Sequence, residues 1–220
     1  MTTDVALGNV FGPAPAGVGF RIALVRHGEA DGSVRGRCCG SLDPALSDEG
    51  RRQMRHASRL LQRLAAVTIY ASPQARALDS ARTLEMAAPI VVDDRLREID
   101  FGLLEGLTYD EIADRHPDVW RGWMQAPVDV AFPQGERFAA FSNRVDRAIA
   151  DLTTRHPGDA IVVVGHGGVN RLILARALGL DLRHMFRLQQ TCGAASLIDY
   201  YGDQAVVQVM NATWMGPSSC

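Results

Sequence analysis

The run Arg21-Ile22-Ala23-Leu24-Val25-Arg26-His27-Gly28-Glu29 constrains the fold more than any other stretch of the chain. Its apolar, strand-forming residues stop abruptly at an arginine, a histidine and a glycine. A continuous apolar run of this kind is a strand buried on both faces, the kind found inside α/β sheets. In open α/β sheets ligands bind just beyond the carboxyl ends of the strands, so a working side chain belongs at this point. A second run, Ala160-Ile161-Val162-Val163-Val164-Gly165-His166-Gly167-Gly168, ends in the same way. Either histidine alone reads as the start of a solvated loop; two at matching strand ends reverse that reading.

Between and around these runs, strand and helix patterns alternate. Residues 1–19 carry Gly8, Gly12, Pro13, Pro15, Gly17 and Gly19 among small residues and read as a flexible leader. Residues 20–220 read as one domain. A strand over Phe20–Val25 leads to a glycine-rich loop from Gly28 to Pro44. Ser47-Asp48-Glu49 opens a helix with a serine cap and two first-turn acids. Met54, Ala57, Leu61 and Leu64 give that helix one apolar face. Ala66–Ala71 is a second strand, Ser72-Pro73 starts a helix over about Gln74–Ala87, and Ile90–Val92 is a small strand. Short helices lie between Thr108 and Met124, inside a cap or insert over about 106–135. Phe138, Phe141, Val145, Ile149 and Leu152 mark a long helix ending near Pro157-Gly158. The strand Ala160–Val164 is followed by a helix over about Val169–Leu178. A hairpin, Ser196–Tyr200 with Ala205–Met210, turns at Gly202-Asp203. The alternation argues for one layered α/β domain with no internal repeat.

Composition excludes several classes of function. The chain has 220 residues, 47% apolar and 22% charged, with a net charge of −2. It has no global basic charge to attract nucleic acid or an anionic membrane, and no apolar stretch long enough to span one. Four cysteines, Cys38, Cys39, Cys192 and Cys220, are too few for a disulfide scaffold. No zinc motif is present, so neither a metal nor another cofactor is expected. The chain reads as cytoplasmic. The exposed edge of the C-terminal hairpin would suit a homodimer.

A phosphoryl group needs positioning and positive charge around its oxygens. Arginine offers a planar fork to them, and glycine lets backbone N–H groups approach. Arg26 with Gly28 and Gly40 fits that need, and Arg76, near a helix start, adds a second fork. A histidine among arginines is held neutral and can attack phosphorus, dividing one displacement into two. The departing alkoxide needs a proton, and Glu29, Glu98, Asp100 and Glu105 are all candidates to supply it. The residue that does so must hold its proton near neutral pH. Spacing does not choose among them.

Val25-Arg26-His27-Gly28-Glu29 resembles the Arg-His-Gly signature of the histidine phosphatase superfamily, the phosphoglycerate mutase-like proteins. Further blocks match in the family's order: Gly40–Ser47, Ala71–Ala77, Leu96–Gly102 with Glu105-Gly106, and Val164–Gly168. The resemblance covers about Phe20 to Asn211. It implies a three-layer α/β/α sandwich around a mostly parallel sheet, no cofactor, and a small-molecule phosphate ester as substrate. It makes His27 the nucleophile and Glu98 the proton donor. Arg26, Arg76, His166 and Gly167 hold the phosphoryl oxygens. The family's phosphate-binding asparagine falls at Ser33, and the loop glycine at Gly40. Threonine and glutamine of many relatives are replaced by Ala30 and Cys39.

The short interval from Gly106 to Gly135 is similar to that of the phosphatases rather than the mutases. Pro133–Glu136 and Gly165–Leu180 resemble α-ribazole phosphatase-type proteins. The chain is thus expected to be a phosphomonoester hydrolase working through phosphohistidine. Mutase-type phosphoryl transfer comes second, a non-catalytic phosphate-binding protein third, and a metal-dependent hydrolase last. Two leaving-group classes stay open. Trp120, Trp123, Met124, Phe132 and Phe138 would suit an apolar or ring-shaped one, and Arg35, Arg37, Arg121 and Arg137 a second anion.

Overall fold

A computed structural model describes residues 10–213. Six strands form one sheet: β1 (Phe20–Arg26), β2 (Ala66–Ala71), β3 (Ile90–Val92), β4 (Ala160–Gly165), β5 (Ala195–Tyr201) and β6 (Gln204–Ala212). Their spatial order is β3-β2-β4-β1-β5-β6. The first four run parallel, while β5 and β6 join antiparallel. Side chains alternate across the sheet and feed two cores. Ile22, Leu24, Ile161 and Val163 face one, while Ala23, Val25, Val162 and Val164 face the other.

Helices cover both faces and complete three α/β/α layers. On one side lie α1 (Asp48–Leu61) and α2 (Ala75–Thr83), which contribute Met54, Ala57, Leu60, Leu61 and Ala81. Two short helices follow β3 in the chain, α3 (Tyr109–Arg115) and α4 (Pro117–Gln125). The other face is covered by α5 (Phe138–Arg155) and α6 (Gly167–Ala177), with Phe141, Val145, Leu152, Leu172 and Ile173 in its core. Ser47 caps α1, accepting from the Gly50 N–H at 3.0 Å. Thr108 and Glu111 form a reciprocal capping box on α3.

Two expectations need correction. Of the leader expected over 1–19, residues 1–9 lie outside the described residues, but residues 10–19 belong to the packed domain. Phe11 is fully buried in the α1–α2 core, and the Gly12 carbonyl accepts from Arg21 at 2.7 Å. One aromatic anchor outweighs the glycine and proline around it. The second helix starts at Ala75 and ends at Thr83, shorter than the pattern suggested, because Glu85 takes a positive φ of 51°. Its N-terminus is capped from afar: the Asp43 carboxylate accepts from the Ala75 N–H at 2.8 and 2.9 Å.

Strand β1 begins on a buried ion pair. Arg21 donates to both Asp199 oxygens at 2.5 and 2.7 Å, with almost no exposure of either side chain. Gln208 adds a third donor to that carboxylate. Removing one partner of such a pair leaves a buried, uncompensated charge. Asp199→Ala is therefore expected to lower unfolding free energy by about 3–5 kcal/mol in chemical denaturation. A loss below about 1 kcal/mol would mean that water reaches the stranded guanidinium.

Candidate active site

The parallel strands end together, so the residues that follow them meet at one sheet edge. Arg26 pairs with Gly165 and Ala71 with Val164. His27, Ser72 and His166 therefore emerge side by side. The His27 and His166 rings have centroids 5.1 Å apart and a 60° angle between planes. His27 Nδ1 lies 2.7 Å from the Gly28 carbonyl, which can only accept. Nδ1 thus carries the proton, and Nε2 keeps its lone pair. Burial, then the charges of Arg26 and Arg76, hold the His27 pKa well below the usual 6.5. His166 is fully buried with its Nε2 2.8 Å from the Ser72 hydroxyl. Burial, His27 and the same arginines also lower its pKa.

The arginines are aimed by carbonyl oxygens. Arg76, almost fully buried on α2, donates to Leu42, Cys39 and Gly40 carbonyls at 2.7, 3.0 and 3.3 Å. Arg26 donates to the Gln190 carbonyl at 2.6 Å, and its buried Nε has no partner among the described residues. Ser72, expected to cap α2, serves His166 instead. Gln74 bridges two loops through its side chain: its amide oxygen accepts from the Glu98 N–H at 3.0 Å, and its amide nitrogen donates to the Gly40 carbonyl.

Geometry sorts the four candidate proton donors. Glu105 accepts backbone N–H groups from Gly40, Ser41, Leu42 and Phe101, which makes it a staple between loops. Asp100 accepts from the Gly102 N–H, and Glu29, which lines the same cavity as Glu98, pairs with Arg35 at 2.8 Å. Glu98 lies in a cavity of about 340 Å³ that also exposes Arg26, His27, Arg76 and Gly167. The Glu98 carboxylate is held by the Gly168 N–H at 2.9 Å and the Ile99 N–H at 3.0 Å. A Cβ on Gly168 would stand 2.3 Å from that carboxylate.

Three glycine or serine positions behave differently from expectation. Ser33 is exposed, forms a local turn with Asp31, and does not line the cavity. Gly40 gives its N–H to Glu105, and a Cβ there would meet the Ile99 carbonyl at 1.9 Å. Its role is to let loops approach, not to cradle an anion. Gly28 gives its N–H to Ser80 and faces the Gly50 backbone, where a Cβ would clash at 2.3 Å. Gly167, the first residue of α6, keeps a helix-start N–H at the cavity.

Residues that sequence reasoning passed over complete the site. Arg144 on α5 donates to the carbonyls of Arg95, Arg97 and Glu98 at 2.8, 2.6 and 3.0 Å, fixing the Glu98 loop. Arg171 on α6 also lines the cavity. Helical spacing carries no signal for either, since each looks like a solvated helix arginine.

Known proteins share this arrangement of sequence and fold. A model of the histidine phosphatase superfamily, branch 1, matches residues 22–213. The bifunctional protein Rv2228c of Mycobacterium tuberculosis is 34% identical over 201 residues, covering 90% of this chain and 55% of that one. The chain thus spans little more than half of that relative. Phosphoserine phosphatase 1 of Hydrogenobacter thermophilus is 31% identical over 195 residues, covering 88% of this chain and 92% of the relative. The crystal structure of the alpha-ribazole phosphatase from Shigella flexneri matches with a TM-score of 0.78 at 29% identity, covering 90% and 100% of the two chains. The family match over nearly all of the described residues makes this chain a member of the histidine phosphatase superfamily, branch 1.

Proposed function

We propose that the chain is a phosphomonoester hydrolase acting through a phosphohistidine, without a metal. One observation carries the reading: a buried, neutral His27 with its Nε2 lone pair free, beside two arginines that no nearby carboxylate fully neutralises. The imidazole attacks phosphorus while Arg26, Arg76, His166 and the Gly167 N–H take the phosphoryl oxygens. Glu98 gives a proton to the departing alkoxide and later takes one from the water that cleaves the phosphohistidine. Hydrolysis is favoured over transfer because relatives named as phosphatases match along 92% and 98% of their length, against 83% and 85% for relatives named as mutases or mutase-like.

His27→Ala is expected to reduce phosphate release on the order of 10⁴-fold in the presence of EDTA. It should also abolish the acid-labile, alkali-stable phosphoryl adduct trapped from wild type. An adduct that persists in the variant, or wild-type activity lost to the chelator, would overturn the reading.

Glu98→Gln separates proton donation from binding. Single-turnover phosphorylation by ethyl phosphate should fall about 100-fold. With p-nitrophenyl phosphate, whose leaving group needs no proton, the loss should be far smaller. Equal losses would take Glu98 out of the donor role.

The lowered histidine pKa values also set a pH dependence of stability. Unfolded histidines bind protons below about pH 6.5, whereas folded His27 and His166 do not until the pH is well below that. Their contribution is complete above pH 6.5 and is lost as the pH falls beneath it. The expected slope reaches about 1.4 kcal/mol per pH unit for each histidine. Urea denaturation between pH 5 and 7 should give a shallower slope for His27→Ala than for wild type; identical slopes would show that folded His27 titrates normally.

A further inference from the structure

The cavity is larger than a phosphoryl group requires, and its cations without a carboxylate partner among the described residues, Arg26 and Arg171, meet at one point of its wall. A Cβ on Gly167 would lie 3.0 Å from Arg171 Nη1 and 3.7 Å from the Arg26 guanidinium carbon, so both guanidinium groups converge over the first residue of α6. Burial and the charge of Arg26 push the Arg171 pKa down. Neither arginine has a carboxylate within 4 Å among the described residues, so the space between them suits one dianion. The cavity's other cations are already matched: Arg35 by Glu29 at 2.8 Å and Arg37 by Glu111 at 3.0 Å. Arg121 pairs with Asp118 and, like Arg137, lies off the cavity.

Beyond the phosphate end the walls are aromatic. Trp123 is buried at the base, with the Phe132, Tyr109 and Phe186 rings edge-on to it at 5.1, 5.9 and 6.2 Å between centroids. Tyr109 and Phe186 are 55% and 45% exposed, large apolar surfaces left to water beside a site. The Arg171 guanidinium lies 5.6 Å over the Phe186 ring, which ties this rim to the phosphate end.

We propose that this aromatic chamber is the leaving-group site, and that it takes an uncharged ring. The inference rests on the phosphatase reading. Preferred substrates are then phosphomonoesters of ring-bearing alcohols, rather than of carboxylate-bearing alcohols such as serine. A carboxylate entering the chamber would shed its water and find the cations around it engaged, Arg35 and Arg37 by carboxylates and Arg171 by the phosphoryl group. A ring would bury apolar area and add edge-to-face contacts with Trp123 and Phe132.

The test compares kcat/KM for ethyl phosphate, 2-phenylethyl phosphate and O-phosphoserine, all esters of primary alcohols that need a proton on leaving. The phenylethyl ester should exceed both others by at least about tenfold. In Phe186→Ala and Tyr109→Ala the ratio of phenylethyl to ethyl ester should fall toward one. A misfolded fraction lowers both rates alike and leaves the ratio untouched. Release from all three esters without a preference for the ring, or a ratio unchanged in both variants, would overturn the inference and leave the phosphatase reading intact. No release from any ester would overturn both.

Discussion

The site depends on the register between β1 and β4. Six residues of β1 and five of β4 are buried, so each strand feeds two cores with alternate side chains. A slip of one residue would exchange those faces, placing Leu24 and Val163 where Val25 and Val164 belong. Hydrophobic burial therefore fixes Arg26 opposite Gly165, and the His27 N–H seals the register on the Gly165 carbonyl at 2.9 Å. The two histidines follow as the next residue on each strand. Their closeness is a consequence of core packing, with no dedicated interaction needed to bring them together. Strand β2 adds the third member in the same way, since the Ser72 N–H bonds to the Val164 carbonyl and sets its hydroxyl beside His166.

Around that edge the protein orients arginines without neutralising them. Arg76, Arg26 and Arg171 are all held by backbone carbonyls. A carbonyl dipole fixes the direction of a guanidinium but leaves its net charge in place, whereas a carboxylate would cancel it. The nearby carboxylates bond chiefly to other donors: Glu105 to backbone N–H groups, Asp43 to the start of α2 with Arg76 only at 3.6 Å, and Glu136 to Arg144. What remains is a pocket with positive charge and aromatic walls. Burial first and that field second depress both histidines, and the same field would attract a dianion.

The sequence was most readable where one interaction dominates. Apolar runs gave the strands, Ser47 gave the first helix its start, and Gly202 gave the hairpin its turn, with a positive φ of 66°. It was least readable where distant segments meet. Nothing local marks Asp43 as the cap of α2, because its partner lies 32 residues away. Gly28 and Gly40 look like anion-binding glycines, yet each is small because another backbone passes too close for a Cβ. Ser33 matches a family position by order alone, and its loop turns the side chain elsewhere. Phe11 shows the reverse error, a single core residue hidden in a composition typical of loops. Glu98 could be chosen among four acids by resemblance; the structure adds that Glu105 and Asp100 hold loop N–H groups away from the cavity and that Glu29, at the cavity, pairs with Arg35.

The pair Gly167-Gly168 shows how finely the start of α6 is divided. Neither residue has a positive φ, so torsional freedom is not what glycine supplies here. At Gly167 a side chain would intrude between Arg171 and Arg26, in the space where the two guanidinium groups converge. At Gly168 it would strike the Glu98 carboxylate, which needs that N–H to stay at the cavity. One helix terminus thus holds the Glu98 carboxylate on its second N–H and, in the proposed reaction, would offer the first to a phosphoryl oxygen. Their spacing is set by consecutive residues of a single helix turn, which is the most rigid ruler available to the fold. In the proposed reaction the distance between the phosphorus and Glu98 would then be inherited from backbone geometry, with Arg144 steadying the Glu98 loop.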